Sequence, residues 1–271
     1  MTGKKIRLSR FRYRDSKQGL IVPIDHGLTL GPVAGLGSVR EISSWIKHPA
    51  ICGVIVHKGM AERLGDAGLL DGLGVMVHLN GMAMLAKHPD TKERVTGIAT
   101  AVRLGADAVS FQVNFDGQND SANLRQMGDI VDEASRFSLP VLAMVYDKVK
   151  CEGKVRTERL RHLIRLSIEL GCDAIKIAPP EAPSELAGLL DGLSEDIPVF
   201  LAGGSVTTPD SLTQMARAGI RAGTAGLCVG RNVFQRPDSG EILTQLREVL
   251  LPRFPRVSEL PLHGEISYGA H

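Results

Sequence analysis

Residues 157–178 read TERLRHLIRLSIELGCDAIKIA, a helix-length segment running straight into a short apolar strand. In the first part Leu160, Leu163, Ile164 and Ile168 recur at helical spacing, and Gly171 closes the pattern. In the second part successive side chains point to opposite faces, so Ala174, Lys176 and Ala178 share one face. Asp173, Ile175 and Ile177 take the other, and Pro179-Pro180 stops the strand. A lysine between two alanines on so apolar a strand is either a stem reaching solvent or an amine held in a cavity.

The same helix-then-strand unit repeats outward in both directions. Strands are expected at LIVPID (20–25), CGVIVH (52–57), VMVHLN (75–80), AVSFQVNF (108–115), PVLAMVY (140–146), the Lys176 stretch, IPVFLA (197–202) and AGLCVG (225–230). Between them lie helical segments at 38–48, 59–65, 91–105 with Thr91 as N-cap, 121–137, 157–171, 184–193, 209–219 and 240–250. Apolar strands alternating with amphipathic helices imply a parallel sheet covered by helices. Eight such units predict an α/β fold, a single (β/α)8 TIM barrel over 1–271 with its core about 19–250. An open doubly wound sheet is the alternative, but it usually has fewer strands, and no G-x-G-x-x-G follows the first strand.

The bulk numbers fit that frame and exclude several others. The 271 residues are 43% hydrophobic, enough for a full core, and no apolar run approaches the roughly 18 residues of a bilayer span. A net charge of +2 from 32 basic and 30 acidic residues gives no field that selects nucleic acid or membrane. Aromatics at 4% leave few platforms for stacking bases. The four cysteines, Cys52, Cys151, Cys172 and Cys228, are widely spaced and fit a reducing, cytoplasmic compartment. The start carries seven basic residues and one acid before Gln18, without the apolar core of a secretory signal. It reads as a short, solvated N-terminal arm, with a transit peptide or a phosphate-binding arm as alternatives. Residues 251–271 lack periodicity and read as an irregular surface or subunit-contacting tail.

In a barrel of this kind the site lies at the C-terminal strand ends. Polar residues there include Asp25-His26, His57-Lys58, His78, Asn80, Asn114, Tyr146, Lys176, Gly203-Gly204-Ser205 and Gly230-Arg231. AGGS after the seventh strand and VGRN after the eighth put backbone N–H groups and the Arg231 cation where such barrels hold phosphate. A free lysine is only about 0.04% neutral at pH 7. Burial favours the amine, and at a pKa of about 7.5 roughly a quarter would be neutral and able to attack a ketone. The resulting imine is an electron sink for the adjacent carbon–carbon bond, and Asp25 and Tyr146 are the nearby acid–base candidates. On a regular strand only one of Asp25 and His26 faces inward, and Tyr146 shares its parity with Met144 and Leu142. Taken bare, Asp25 also fits a loop cap, Tyr146 a rim residue and Lys176 a structural ion pair.

VPIDHGLTLGP (22–32), Tyr146, DAIKIA (173–178), LAGGS (201–205) and LCVGRNVFQRP (227–237) occur in the order seen in one family. Across about residues 5 to 250 the chain resembles the DeoC/FbaB-type class I aldolases. That group comprises archaeal-type fructose-bisphosphate aldolases, aminodideoxyheptulosonate synthases and aldolases joining dihydroxyacetone phosphate to aspartate semialdehyde. The resemblance implies Lys176 as the Schiff-base lysine, Tyr146 as proton donor or shuttle and Asp25 as acid–base partner. Gly203, Gly204, Ser205, Gly230 and Arg231 would hold the substrate phosphate, and His26 and Lys148 are counted with the substrate-binding residues. It further implies a phosphorylated small-molecule substrate, no cofactor and a homo-oligomer such as a ring-based decamer.

Two departures bear on substrate. Tyr146 is followed by Asp147-Lys148-Val149 where these fructose-bisphosphate aldolases usually have Pro-Arg-Gly. The glycine motif continues Ser205-Val206-Thr207 in place of Pro-Lys-Thr. The opening RLSRFRYRDSKQGLIVPIDH and HPAICGVIVHKG (48–59) resemble most the aspartate-semialdehyde branch. The rivals are a metal-dependent aldolase using His26, His57 and His78, a thiolase-like acyl transfer with the same lysine, and a barrel that only binds a phosphorylated metabolite. Nucleic-acid binding would rest on the basic arm alone.

Overall fold

The computed structural model describes residues 2–14 and 16–251. Eight parallel strands close into a barrel in sequential order: β1 (Gly19–Pro23), β2 (Gly53–Val56), β3 (Gly74–His78), β4 (Ala108–Phe115), β5 (Val141–Asp147), β6 (Ala174–Ile177), β7 (Val199–Ala202) and β8 (Gly226–Cys228). β8 pairs back onto β1 with Cys228 opposite Ile21, which completes the ring. The expected (β/α)8 fold is the observed one.

Strand alternation sorts the core into two layers. Leu20, Val22, Val54, Ile175 and Ile177 face outward and pack under the helices. Ile21, Ile55, Met76, Leu142, Met144, Ala174, Phe200 and Cys228 face inward and fill the barrel. In register, Met144 on β5 and Phe200 on β7 flank Lys176 on β6. Lys176 therefore belongs to the inner layer, between bulky apolar neighbours.

Two expectations are corrected. The helix expected over 91–105 runs only from Ile98 to Arg103, and Thr91 does not cap it. Glu93–Arg94 instead pairs antiparallel with Asn80–Gly81, and Arg94 reaches Glu133 at 2.6 Å. That folds residues 79–97 back over the C-terminal mouth, a tertiary demand that helical propensity cannot anticipate.

The N-terminal arm keeps much of its surface exposed, as expected, but it is docked on the barrel and not free. Thr2–Leu8 forms a helix, and the turn Ser9–Phe11 drives Phe11, fully buried, into the N-terminal end of the barrel. A Cβ on Gly53 would come within 2.6 Å of the Phe11 ring, so the small residue at the start of β2 makes room for it. Lys4 donates to Asp173 at 2.7 Å and Arg10 pairs with Asp107. These two carboxylates also accept from the backbone N–H groups of Val141 and Val75, at 3.0 and 2.9 Å. Two of the basic residues that suggested an anion-binding arm, Lys4 and Arg10, thus pin a plug to the barrel floor. The tail expected to be irregular lies, from residue 252 on, outside the described residues. Among the described residues no helix is long and apolar enough to cross a membrane.

Removing a fully buried ring from such a plug costs about 3–5 kcal/mol. Phe11→Ala should lower the unfolding free energy by that amount in a denaturant titration. An unchanged midpoint would show that the arm is peripheral to the fold.

Candidate active site

At the C-terminal mouth a cavity of about 130 Å³ is lined by His26, Tyr146, Lys176, Cys228, Gly203, Gly204, Gly230 and Arg231, with Pro23, Ala178, Pro179 and Ala202 completing the wall. A larger cavity of about 780 Å³ lies at the opposite end, around Arg12, Lys17 and Phe200, and holds none of the candidate residues. Only the smaller one joins a nucleophile to an anion cradle.

Lys176 is 6% exposed, and its Nζ lies 3.9 Å from Met144 Sδ, with the Tyr146 hydroxyl and Cys228 thiol also close by. Burial works against its ammonium form. Cys228 and Tyr146, through the charge of their ionised forms, and the Asp25 carboxylate work for it, and the balance holds the pKa above the ordinary lysine value. This corrects the expectation that burial alone makes a neutral amine. Desolvation acts as expected, but strands 1, 5 and 8 bring three groups that the single strand does not show. Cys228 itself is pushed up to about 11, chiefly by burial, so its thiol is neutral at pH 7.

Asp25 lies just beyond β1 and opens the short turn His26–Leu30 in helical backbone, not extended strand. The rule that only one of Asp25 and His26 can face inward therefore does not apply. His26 Nδ1 is 3.4 Å from Asp25 Oδ1, and His78 Nε2 is 3.7 Å from Asp25 Oδ2. Burial opposes ionisation of this carboxylate, but His78, His26, Lys176 and His57 outweigh it and hold the pKa below the usual range. His78 Nδ1 lies 2.8 Å from Ser110 Oγ inside the barrel. Burial drives His78 down to about 3, so the ring is neutral. His57 stacks edge-on against His78 with ring centroids 5.2 Å apart. Among the described residues no three His, Cys, Asp or Glu side chains are placed to share a metal ion. The three histidines stand as the wall around one carboxylate.

The anion cradle comes from the loops after β7 and β8. Gly204 takes φ +64°, and a Cβ on Gly230 would fall 2.7 Å from Pro23 O and 2.8 Å from the His26 ring. Glycine at 230 lets the β8 loop close on the β1 loop. Asn232, fully buried, ties the two loops together. It donates to Gly203 O and Ser205 O and accepts from Thr207 N–H, each at 2.9 Å. Asn232 was missed as a site residue, although its place after Arg231 in the G-R-N motif was the available signal. Ser110 and Cys228 were missed because nothing local marks an inward serine or cysteine.

The structure brings together Lys176, Tyr146, His26, Gly203, Gly204, Gly230 and Arg231 around one cavity, with Asp25 held against His26. Ser205 stands exposed on the same loop. Lys148 is elsewhere. Its ammonium pairs with Asp90 at 2.8 Å on the β3–β5 side of the mouth, so it is not part of the phosphate cradle.

A buried lysine beside a carboxylate, a hydroxyl, two glycine loops and an arginine fits the pattern of Schiff-base, class I aldolases. Residues 19–236 match the model of the DeoC/LacD family of aldolases, and the chain belongs to that family. It is 34% identical to the 2-amino-3,7-dideoxy-D-threo-hept-6-ulosonate synthase 1 of Archaeoglobus fulgidus, over 86% of this chain and 85% of that one. It is 26% identical to the 2-amino-4,5-dihydroxy-6-oxo-7-(phosphonooxy)heptanoate synthase of Streptomyces griseus, over 91% and 90%. An archaeal fructose-1,6-bisphosphate aldolase, solved with its catalytic lysine bound to the carbinolamine intermediate of the substrate, superposes with a TM-score of 0.80. That match is 25% identical and covers 91% of this chain and 99% of the other.

Only the neutral amine attacks a carbonyl, and below its pKa the neutral fraction rises about tenfold per pH unit. With Lys176 raised, imine formation with a ketone should climb through pH 7 to 9 without levelling off. Asp25→Asn removes the one anion favouring the ammonium and should move the rise to lower pH. Single-turnover quench measurements read both, and a plateau already reached near pH 7.5 in the unaltered enzyme would contradict the raised value.

Proposed function

We propose that this aldolase joins dihydroxyacetone phosphate to aspartate semialdehyde, forming a 2-amino-4,5-dihydroxy-6-oxo-7-phosphonooxyheptanoate. The observation that carries the reading is one cavity in which Lys176 shares its walls with the glycine loops and Arg231. A ketone carbon at the lysine and a phosphate at Arg231 describe a phosphorylated ketone donor.

The relatives' names supply the other half. Both describe a seven-carbon 2-amino acid with a ketone at carbon 6, and they differ at carbon 7, which carries phosphate in one and is deoxygenated in the other. Cutting either skeleton between carbons 4 and 5 gives a four-carbon amino aldehyde and a three-carbon ketone. The phosphate cradle favours the skeleton with phosphate at carbon 7. The higher identity to the Archaeoglobus synthase favours the deoxygenated product as a second reading.

The steps follow from the groups present. Lys176 Nζ adds to the ketone carbon, and loss of water gives the iminium. Asp25, ionised and framed by neutral histidines, is placed to take a proton from the adjacent carbon, leaving the enamine. The enamine carbon attacks the aldehyde, the new alkoxide takes a proton, and water releases the product from the lysine. Tyr146 is the group on the cavity wall suited to carry protons to and from the departing and arriving oxygens. Ser205 and Asn232 shape the loop that holds the phosphate. The reading carries with it a cytoplasmic, homo-oligomeric enzyme that needs no metal.

The test is an acceptor screen with dihydroxyacetone phosphate as donor. Aspartate semialdehyde should exceed glyceraldehyde 3-phosphate in kcat/KM by about a hundredfold or more, the scale of two lost ionic contacts. The reverse preference would make the chain a fructose-bisphosphate aldolase.

A further inference from the structure

Donor and acceptor must approach Lys176 from different sides. The phosphate loops follow β7 and β8, next to β6 on one flank, so the acceptor's flank is the β3–β5 side. There the mouth carries a cluster of charge outside the cavity already described. Asp90 and Lys148 pair at 2.8 Å, with the two side chains 53% and 39% exposed. Lys92 donates to Pro89 O at 2.8 Å. Burial and the neighbouring Lys148 weaken its ammonium form, while Asp90 and Asp25 favour it, so Lys92 feels both the cluster and the catalytic carboxylate.

An exposed ion pair contributes little to stability, which would make this cluster an ordinary solvated surface. Its anchoring argues otherwise. Asn114, 1% exposed at the end of β4, donates to Asp90 O at 2.7 Å. Gln126 donates to Lys92 O at 3.4 Å, and Lys148 N–H bonds to Phe115 O at 2.8 Å. A turn bearing one carboxylate and one ammonium is thereby tacked to the barrel rim beside a second ammonium just after β5.

Resting on the aldolase reading above, we propose that Asp90, Lys92 and Lys148 form the acceptor subsite and select an aldehyde bearing an α-amino-carboxylate. The carboxylate lies against Lys92 and Lys148, and the ammonium lies against Asp90. A phosphorylated acceptor has anionic charge to offer the two lysines but nothing to offer Asp90, which repels it. Lys148 thus serves the acceptor's carboxylate and not the donor's phosphate. An α-amino acid exchanges the internal Asp90–Lys148 pair for two ionic contacts of its own.

The experiment compares L-aspartate semialdehyde with succinate semialdehyde, which has the same carbon chain, carboxylate and aldehyde but no amine. Asp90→Asn should raise KM about tenfold or more for the amino aldehyde, the loss of one charge-assisted contact, and should lower KM for succinate semialdehyde or leave it unchanged, because Asp90 no longer repels that carboxylate. Lys92→Gln and Lys148→Gln should raise KM for both. In all three variants, inactivation by borohydride with dihydroxyacetone phosphate alone should match the unaltered enzyme, showing an intact donor site. Normal inactivation with equal effects of Asp90→Asn on the two acceptors, or with none, overturns the inference while leaving the aldolase reading standing. No inactivation of the unaltered enzyme would sink both.

Discussion

A primary amine buried inside a barrel, within reach of a thioether, a thiol, a phenol and a carboxylate, is the constraint on which this molecule is built. Elsewhere in the inner layer the strands supply Ile21, Ile55, Met76, Leu142 and Phe200, ordinary packing for such an interior. An ammonium among them is costly unless opposite charge or hydrogen-bonding groups stand close. Asp25 supplies the charge, and against the cost of burial the surrounding His78, His26, Lys176 and His57 keep its pKa below the usual carboxylate range. The polar apparatus of three strands thus exists around one side chain on a fourth.

The same constraint orders the barrel mouth. Lys176 divides it into a flank of glycine loops locked by Asn232 and a flank where residues 79–97 fold back onto Asn114 and Gln126. The first is short of side chains, which suits the approach of backbone N–H groups to the anion proposed there, and Gly230 lets its loop close on Pro23. The second is rich in charge and held by side-chain hydrogen bonds. A donor with one phosphate and an acceptor with several charged groups suit these two surfaces respectively. At the far end, Phe11, Lys4 and Arg10 seal the floor, so strand ends opposite the chemistry are committed to stability.

The barrel could be read from sequence because each strand is short, apolar and bounded by turn residues. The period-two alternation also put Lys176 on one face with Ala174, which proves to be the inner face. Asp25, Tyr146 and the two glycine motifs were visible for the same reason, since strand ends are where this fold does chemistry. What escaped depended on distant partners. The plug around Phe11 needs glycines at 53 and 74, far along the chain, to reveal itself as anything but a basic arm. The segment 91–97 looked helical until its pairing with Asn80–Gly81 claimed it. The direction of the Lys176 shift reversed because burial is visible in one strand, whereas Cys228, Tyr146 and Asp25 arrive from three others.

The central claim is a covalent bond between Lys176 Nζ and a phosphorylated ketone. Peptide mass spectrometry after borohydride reduction in dihydroxyacetone phosphate tests it directly. The account predicts one reduced three-carbon phosphate adduct, on Lys176, in the peptide containing Asp173-Ala174-Ile175. An adduct on another lysine, or none at saturating ketone, would contradict it.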